Sequence, residues 1–273
     1  MIKQAIIPLA GLGTRLLPLT SVLPKELLPI NGKPGLEYIL DECFEAGIKE
    51  IILVISDKKK TIKKYFYNDA FFKKIIKKKR KDKRLKFEYA KIKKFRNRIK
   101  FVYQNSPRGT GDAVLKCKKF IKSNHFLLLL PDDLILKNNC SLAMIKLHKQ
   151  YNSSIIASKK VKTKDVTRWG IFKIKKLSKK NFLIKDVIEK PTIKLAPSNH
   201  AVIGRYILPK KIFKTLEKQK SGRNGEIHIT DAIRTLIHQK NKFIGHVFAG
   251  KYLDCGTMKG YINSSIKISK LQL

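Results

Sequence analysis

Apolar residues along this chain gather into short runs, separated by stretches of helical spacing. KQAIIPLA from Lys3, KEIILVIS from Lys49, RIKFVYQ from Arg98 and HFLLLLPDD from His125 are runs of strand length bounded by turn signals. Apolar residues on consecutive positions suit strands covered on both faces, so these segments predict buried strands of a largely parallel sheet. Between them, PGLEYILDECFEAGI carries Leu36, Ile39, Leu40 and Phe44 at helical spacing and stops at Gly47, while GDAVLKCKKFI starts after a glycine turn. The alternation is a βαβ pattern. The basic stretch from about Asn68 to Arg98 reads as a solvated helical excursion from that sheet. Beyond Ser153, the runs SSIIASKKV, WGIFKI and NFLIKDVIEKP lie closer together and alternate, which predicts antiparallel strands. No repeat or flexible linker separates the halves, so residues 1–273 read as one mixed α/β domain with a C-terminal lobe of helices and short strands.

The stretch PLAGLGTRLLPLTSVLPKELLPINGKP, Pro8 to Pro34, fits neither periodicity. Gly11 and Gly13 permit close approach to a ligand, and the prolines stop the segment from becoming one helix. A loop this rich in Leu, Ile and Pro is not composed like a disordered one, so it reads as functional. A dinucleotide fingerprint needs a glycine where Leu16 stands, and a Walker A loop needs Gly-Lys-Ser/Thr, which is missing. Downstream, GHVFAGKY has Walker spacing but puts Tyr252 where the metal-binding hydroxyl belongs.

Ligands of open α/β sheets sit beyond the carboxyl ends of the strands. Four polar constellations fall there: Gly11 to Arg15, Gln104 to Gly111, Pro131-Asp132-Asp133, and Glu189-Lys190-Pro191. Glycine loops, a strand-end aspartate and cations together suit a phosphate-bearing ligand with a divalent metal.

Composition narrows the class. No run of 18 apolar residues occurs, and the start MIKQAIIPLAG is too short and wrongly flanked for a signal peptide, so the expectation is a cytoplasmic protein without membrane contact. Cys43, Cys117, Cys140 and Cys255 are scattered, with no C-x-x-C pair, and read as reduced core thiols. The net charge is +41, from 61 Lys+Arg against 20 Asp+Glu. Its lysines are spread over nearly every exposed segment and accompany no reading motif, which predicts non-specific attraction to polyanions and no specific nucleic-acid partner.

At the loop a resemblance becomes specific. LAGLGTRLLPLTSVLPKELLPI resembles the signature loop of sugar-phosphate nucleotidyltransferases, and QNSPRGTGDAV, LLPDDLI, VIEKP, APSNHAVIGRYILPKKIF, GEIHITDAI and YLDCGTMKGY follow in the family's order, nearly end to end. The resemblance implies a three-layer Rossmann-like α/β fold with a mixed, mostly parallel central sheet. A nucleotide-binding part would cover about 1–135, and a sugar-binding and C-terminal part about 136–273. It implies transfer of UMP from UTP to glucose 1-phosphate with release of pyrophosphate, assisted by Mg²⁺, in a homo-oligomer (dimer or tetramer). The attacking phosphate oxygen is already anionic at neutral pH, so no general base is needed; positive charge on the phosphates is.

By the same resemblance, Arg15 would grip the leaving pyrophosphate and Lys25 the α-phosphate. Leu9, Ala10, Gly11, Gly13, Thr14, Gln104, Pro107, Gly109 and Gly111 would bind the nucleotide. Asp133, Gly170, Glu189, Lys190 and Arg205 would serve the sugar phosphate, and Asp132 and Asp254 the metal. Alternatives stay open: Arg15 and Lys25 as solvated loop charges, Asp132 or its neighbour Asp133 as a turn cap, Arg205 as a structural strand arginine, and Glu226 with Asp231 as supports of a helix beginning near Ile229. The chain departs from the family pattern at Ser21 and Met258, where lysine is usual, at Asp112, where histidine is usual, and at Trp169, where tyrosine is usual.

Overall fold

The computed structural model describes residues 2–222 and 225–272. The first apolar run forms β1 (Gln4–Pro8), and the proline-rich stretch after it adds a small ladder of β2 (Pro29–Ile30) and β3 (Lys33–Pro34). The next runs form β4 (Glu50–Ile55), β5 (Ile99–Tyr103) and β6 (His125–Leu129), followed closely by β7 (Asp133–Leu136). The second half supplies β8 (Ser154–Lys160), β9 (Gly170–Lys176), β10 (Asn181–Glu189), β11 (His200–Pro209), β12 (Phe243–Val247) and β13 (Lys251–Asp254).

Among the described residues, one nine-stranded sheet runs in the order β5-β4-β1-β6-β11-β8-β12-β10-β9. Its first four strands are parallel, as their unbroken apolar runs predict. β11 then enters antiparallel between β6 and β8, and β10 antiparallel between β12 and β9; β8 with β12 is parallel. The sheet is therefore mixed, with a smaller parallel share than the sequence suggests. From β8 to β11 the strands follow one another too closely for helical crossovers, and only the two helices between β11 and β12 let β12 return parallel to β8.

Both faces are covered. Ala5, Ile7, Leu9, Ile51, Leu53 and Ile55 point into one core, packed with the helices Gly35–Glu45 and Cys140–Tyr151, and Ile6, Ile52 and Val54 point into the other. On that second face lie Gly109–Leu115, Ile212–Lys218 and Ile229–His238. Each side chain so buried contributes about 1.5–3 kcal/mol, and helices on both faces make three layers.

The lysine-rich excursion is helical, as expected: Asp69–Lys78 buries no residue, and Lys83–Arg96 buries only Ile92 and Phe95. Asp82 starts the latter helix by accepting from the Leu85 N–H. The four cysteines are free thiols, three of them buried. Burial pushes the Cys117 thiol up to about 12, which keeps it in its unreactive form.

Candidate active site

A cleft of about 560 Å³ opens at the carboxyl ends of β1, β5 and β6. Its walls come from three of the predicted constellations. Ala10, Gly11, Gly13, Thr14, Arg15 and Lys25 form one side, Gln104, Pro107 and Gly109 another, and Asp132 stands at the end of β6.

The proline-rich loop folds back on itself. Gly13, at φ 73°, opens the single turn Thr14–Leu16. A Cβ there would lie 3.2 Å from Thr20 and 3.6 Å from the Lys25 side chain, and the Thr20 hydroxyl donates to the Gly13 carbonyl at 2.9 Å. Lys25 is thus carried back beside the glycines. Its ammonium donates to Asp132 Oδ2 at 2.6 Å. Next in the chain, Glu26 is buried and receives Lys59 Nζ on both oxygens at 2.8 Å. Burial raises the Glu26 carboxyl, against the lowering pull of Lys59 and Lys25, and burial lowers the Lys59 ammonium. Lys59 comes from the DKKK run, where composition suggests only a solvated charge.

A second ladder completes the acidic end of the cleft. β13 pairs antiparallel with β7, setting Asp254 opposite Asp133, and the Cys255 N–H donates to the Asp132 carbonyl at 2.8 Å. A Cβ on Gly256 would stand 3.2 Å from Asp132 Oδ2 and 3.3 Å from Asp254 Oδ1. The two carboxylates therefore border one point, and the glycine leaves it open. Among the described residues no group of three acidic, imidazole or thiol side chains gathers for a metal. Two carboxylates with space between them fit a hard divalent cation that takes its other ligands from water and phosphate. Arg168 Nη2 lies 3.7 Å from Asp254 Oδ2, so this acid too has a cation near it.

Four predicted ligand residues take other roles. Arg205 is fully buried; it donates to both Glu42 oxygens at 2.8–3.0 Å and to the carbonyls of Leu130, Gly204 and Asp133. No donor of its fork is left for a sugar phosphate, and it is the structural strand arginine. Asp133 accepts from Gly204 N–H at 2.8 Å and from the Tyr252 hydroxyl at 2.5 Å, tying β7 to β11 and β13. Burial raises its pKa above the usual carboxylate range, and it does not face the cleft. Leu9 is buried in the core, its N–H held by Val54 O at 2.7 Å. Gly111 lies beneath the 226–228 segment: its N–H donates to Ile227 O at 2.7 Å, and a Cβ would meet Ile227 at 2.6 Å. Its missing side chain makes room for Ile227 and Leu216, and it does not line the cleft.

Gly170 pairs with Glu189 across β9 and β10, and a Cβ there would lie 3.0 Å from Val202 and 3.1 Å from the Glu189 carboxylate. Glu189 and Lys190 are exposed at that strand end, outside the cleft's own wall, with Lys190 N–H held by Trp169 O at 3.0 Å. Trp169 meets Tyr252 edge-on at 5.9 Å and its neighbour Arg168 reaches Asp254, so this corner adjoins the acidic end of the cleft. Sequence reasoning took Glu226 only as a support of the helix near Ile229, whereas it lines the cleft, and it did not single out Arg168. Nothing in the sequence pattern pointed to Arg168.

Comparison with known proteins agrees with this geometry. Residues 4–270 match the family described as Nucleotidyl transferase. UTP–glucose-1-phosphate uridylyltransferase of Mycoplasma pneumoniae is 36% identical over 270 residues, 97% of this chain and 91% of that protein. A crystal structure of UDP-glucose pyrophosphorylase complexed with UDP-glucose superposes with a TM-score of 0.86 at 36% identity, covering 99% of each chain. The UTP-bound UGPase from Acinetobacter baumannii gives a TM-score of 0.88 at 32% identity, covering 98% of this chain and 93% of that one. With residues 4–270 matching the family's model and relatives 36% identical over nearly the whole chain, the chain belongs to the nucleotidyl transferase family.

Proposed function

We propose that the chain transfers UMP from UTP to glucose 1-phosphate, giving UDP-glucose and pyrophosphate, by in-line attack at the α-phosphorus. One observation carries the reading: the fold brings Lys25 and Arg15 of one loop to the same cleft as Asp132, with Asp254 beside it. The full-length likeness to relatives named for this reaction supports it.

Lys25 rests on Asp132, and an incoming phosphate competes for its ammonium. Arg15 is exposed at the loop, free to close on the terminal phosphates. Gln104, buried where β5 ends, presents its amide to the base. Asp132 and Asp254 would hold Mg²⁺, which when bound supplies charge neutralisation and alignment of the phosphates. Glu189 would accept from sugar hydroxyls, with Lys190 and Gly170 at the same corner. No residue need take a proton, because the attacking oxygen is already charged.

Replacing Lys25 tests the assignment. Lys25→Ala should lower kcat with UTP and glucose 1-phosphate by about 10²-fold or more while leaving the melting curve unchanged, since no core side chain is deleted. A variant that melts like the parent and keeps near-parental kcat would make this lysine a mere partner of Asp132.

A further inference from the structure

The buried end of β5 fixes the direction of one amide. Gln104 Nε2 lies 3.1 Å from the Gly109 carbonyl and 2.7 Å from Asp112 Oδ2. Both neighbours are acceptors, so the atom between them must be the NH₂, and its two hydrogens are both engaged. Among the described residues nothing donates to the Gln104 Oε1, and that oxygen is the amide's remaining hydrogen-bonding atom. Gln104 and Asp112 are 5% and 7% exposed, so water competes little for either.

We propose that Asp112 is a positioning residue: it locks the Gln104 amide with its oxygen toward the base, and thereby selects pyrimidines that carry a proton on N3. Uracil and thymine offer that N–H. Cytosine offers a lone pair, which would face the Oε1 lone pairs and leave both groups desolvated without a partner. A flipped amide would instead place its oxygen against two acceptors, so discrimination depends on how firmly the flip is opposed. Gly109 opposes it with a carbonyl, and Asp112 with the shorter, charge-assisted bond. The inference rests on the nucleotide reading of the cleft given above.

The test compares Asp112→Ala and Asp112→Asn with the parent, for UTP, dTTP and CTP. Affinity is measured by calorimetry as well as kcat/KM with glucose 1-phosphate. In Asp112→Ala the preference for UTP over CTP should fall about fivefold to tenfold, while the UTP to dTTP ratio stays parental. Asp112→Asn can present either its oxygen or its NH₂ to Gln104, so it no longer opposes the flip and should lower the UTP to CTP ratio as well, whereas loss of a first-turn helix charge alone would weaken all three nucleotides alike. Equal weakening toward all three nucleotides, or an unchanged ratio in Asp112→Ala, overturns the proposal. Calorimetric ratios read the base pocket even if the acceptor sugar is not glucose 1-phosphate, so failure of the reaction assignment stays distinguishable from failure of this one.

Discussion

Arg205→Met should cost stability and spare chemistry, the reverse of what its place in the resembling motif suggests. The guanidinium is wholly buried, with three contacts of 3.0 Å or less to Glu42 and further bonds to the Leu130, Gly204 and Asp133 carbonyls. Methionine fills much of the volume but leaves Glu42 charged and buried, with only the Ser141 N–H and hydroxyl still donating to it. Stranding one partner of a buried ion pair costs about 3–5 kcal/mol. At roughly 2–3 °C per kcal/mol for a chain of this size, the melting temperature should drop by about 6–15 °C. Pairing it with Glu42→Leu should recover part of that loss, because the uncompensated charge goes while the orphaned carbonyls remain. Thermal melts followed by circular dichroism read the stability, and KM for glucose 1-phosphate is taken well below the transition. A variant that melts within about 2 °C of the parent, or one with a KM raised tenfold at parental stability, would return Arg205 to the ligand.

Two further predictions concern pH and metal. Burial, with His148 and Lys211 nearby, lowers the His125 pKa from 6.5 to about 4, so the unfolded chain takes up a proton that the folded one refuses. Stability is complete above pH 6.5 and is lost as pH falls toward 4; for this half-buried ring the loss is about 1–2 kcal/mol, discounted for solvent. Denaturant titrations of His125→Gln across that window should show a correspondingly flatter acid limb, and a slope equal to the parent's would refute the assignment. Asp132→Asn and Asp254→Asn should each fold normally, depress turnover and raise the Mg²⁺ concentration needed for half-maximal rate; unaltered metal dependence in both would separate these acids from the ion.

Much of the fold is legible because burial on both faces leaves a direct mark. Ile51 to Ile55 alternate between two cores yet are all apolar, so the run announces a covered strand. The loop from Gly11 to Lys25 is legible as chemistry because glycines, prolines and cations are an improbable mixture for a packing segment. What escapes is pairing between distant parts. Glu42 sits on the buried side of an otherwise ordinary amphipathic helix, and its partner lies 163 positions away. Lys59 looks like its solvated neighbours until Glu26 folds over it. Asp132 and Asp133 are indistinguishable as letters, yet the turn after β6 leaves one in the cleft while the start of β7 sets the other onto Tyr252 and Gly204. The adjacency of Asp132 and Asp254 depends on the β7–β13 ladder, whose short strands carry no signal of their partner.

The central claim is uridylyl transfer to glucose 1-phosphate, and pyrophosphate release across a matrix of nucleotides and sugar 1-phosphates tests it most directly. With Mg²⁺ present, UTP with glucose 1-phosphate should give the highest kcat/KM, and UDP-glucose should accumulate in step with pyrophosphate. A clear preference for dTTP, CTP or N-acetylglucosamine 1-phosphate, or no pyrophosphate from UTP and glucose 1-phosphate, would contradict it.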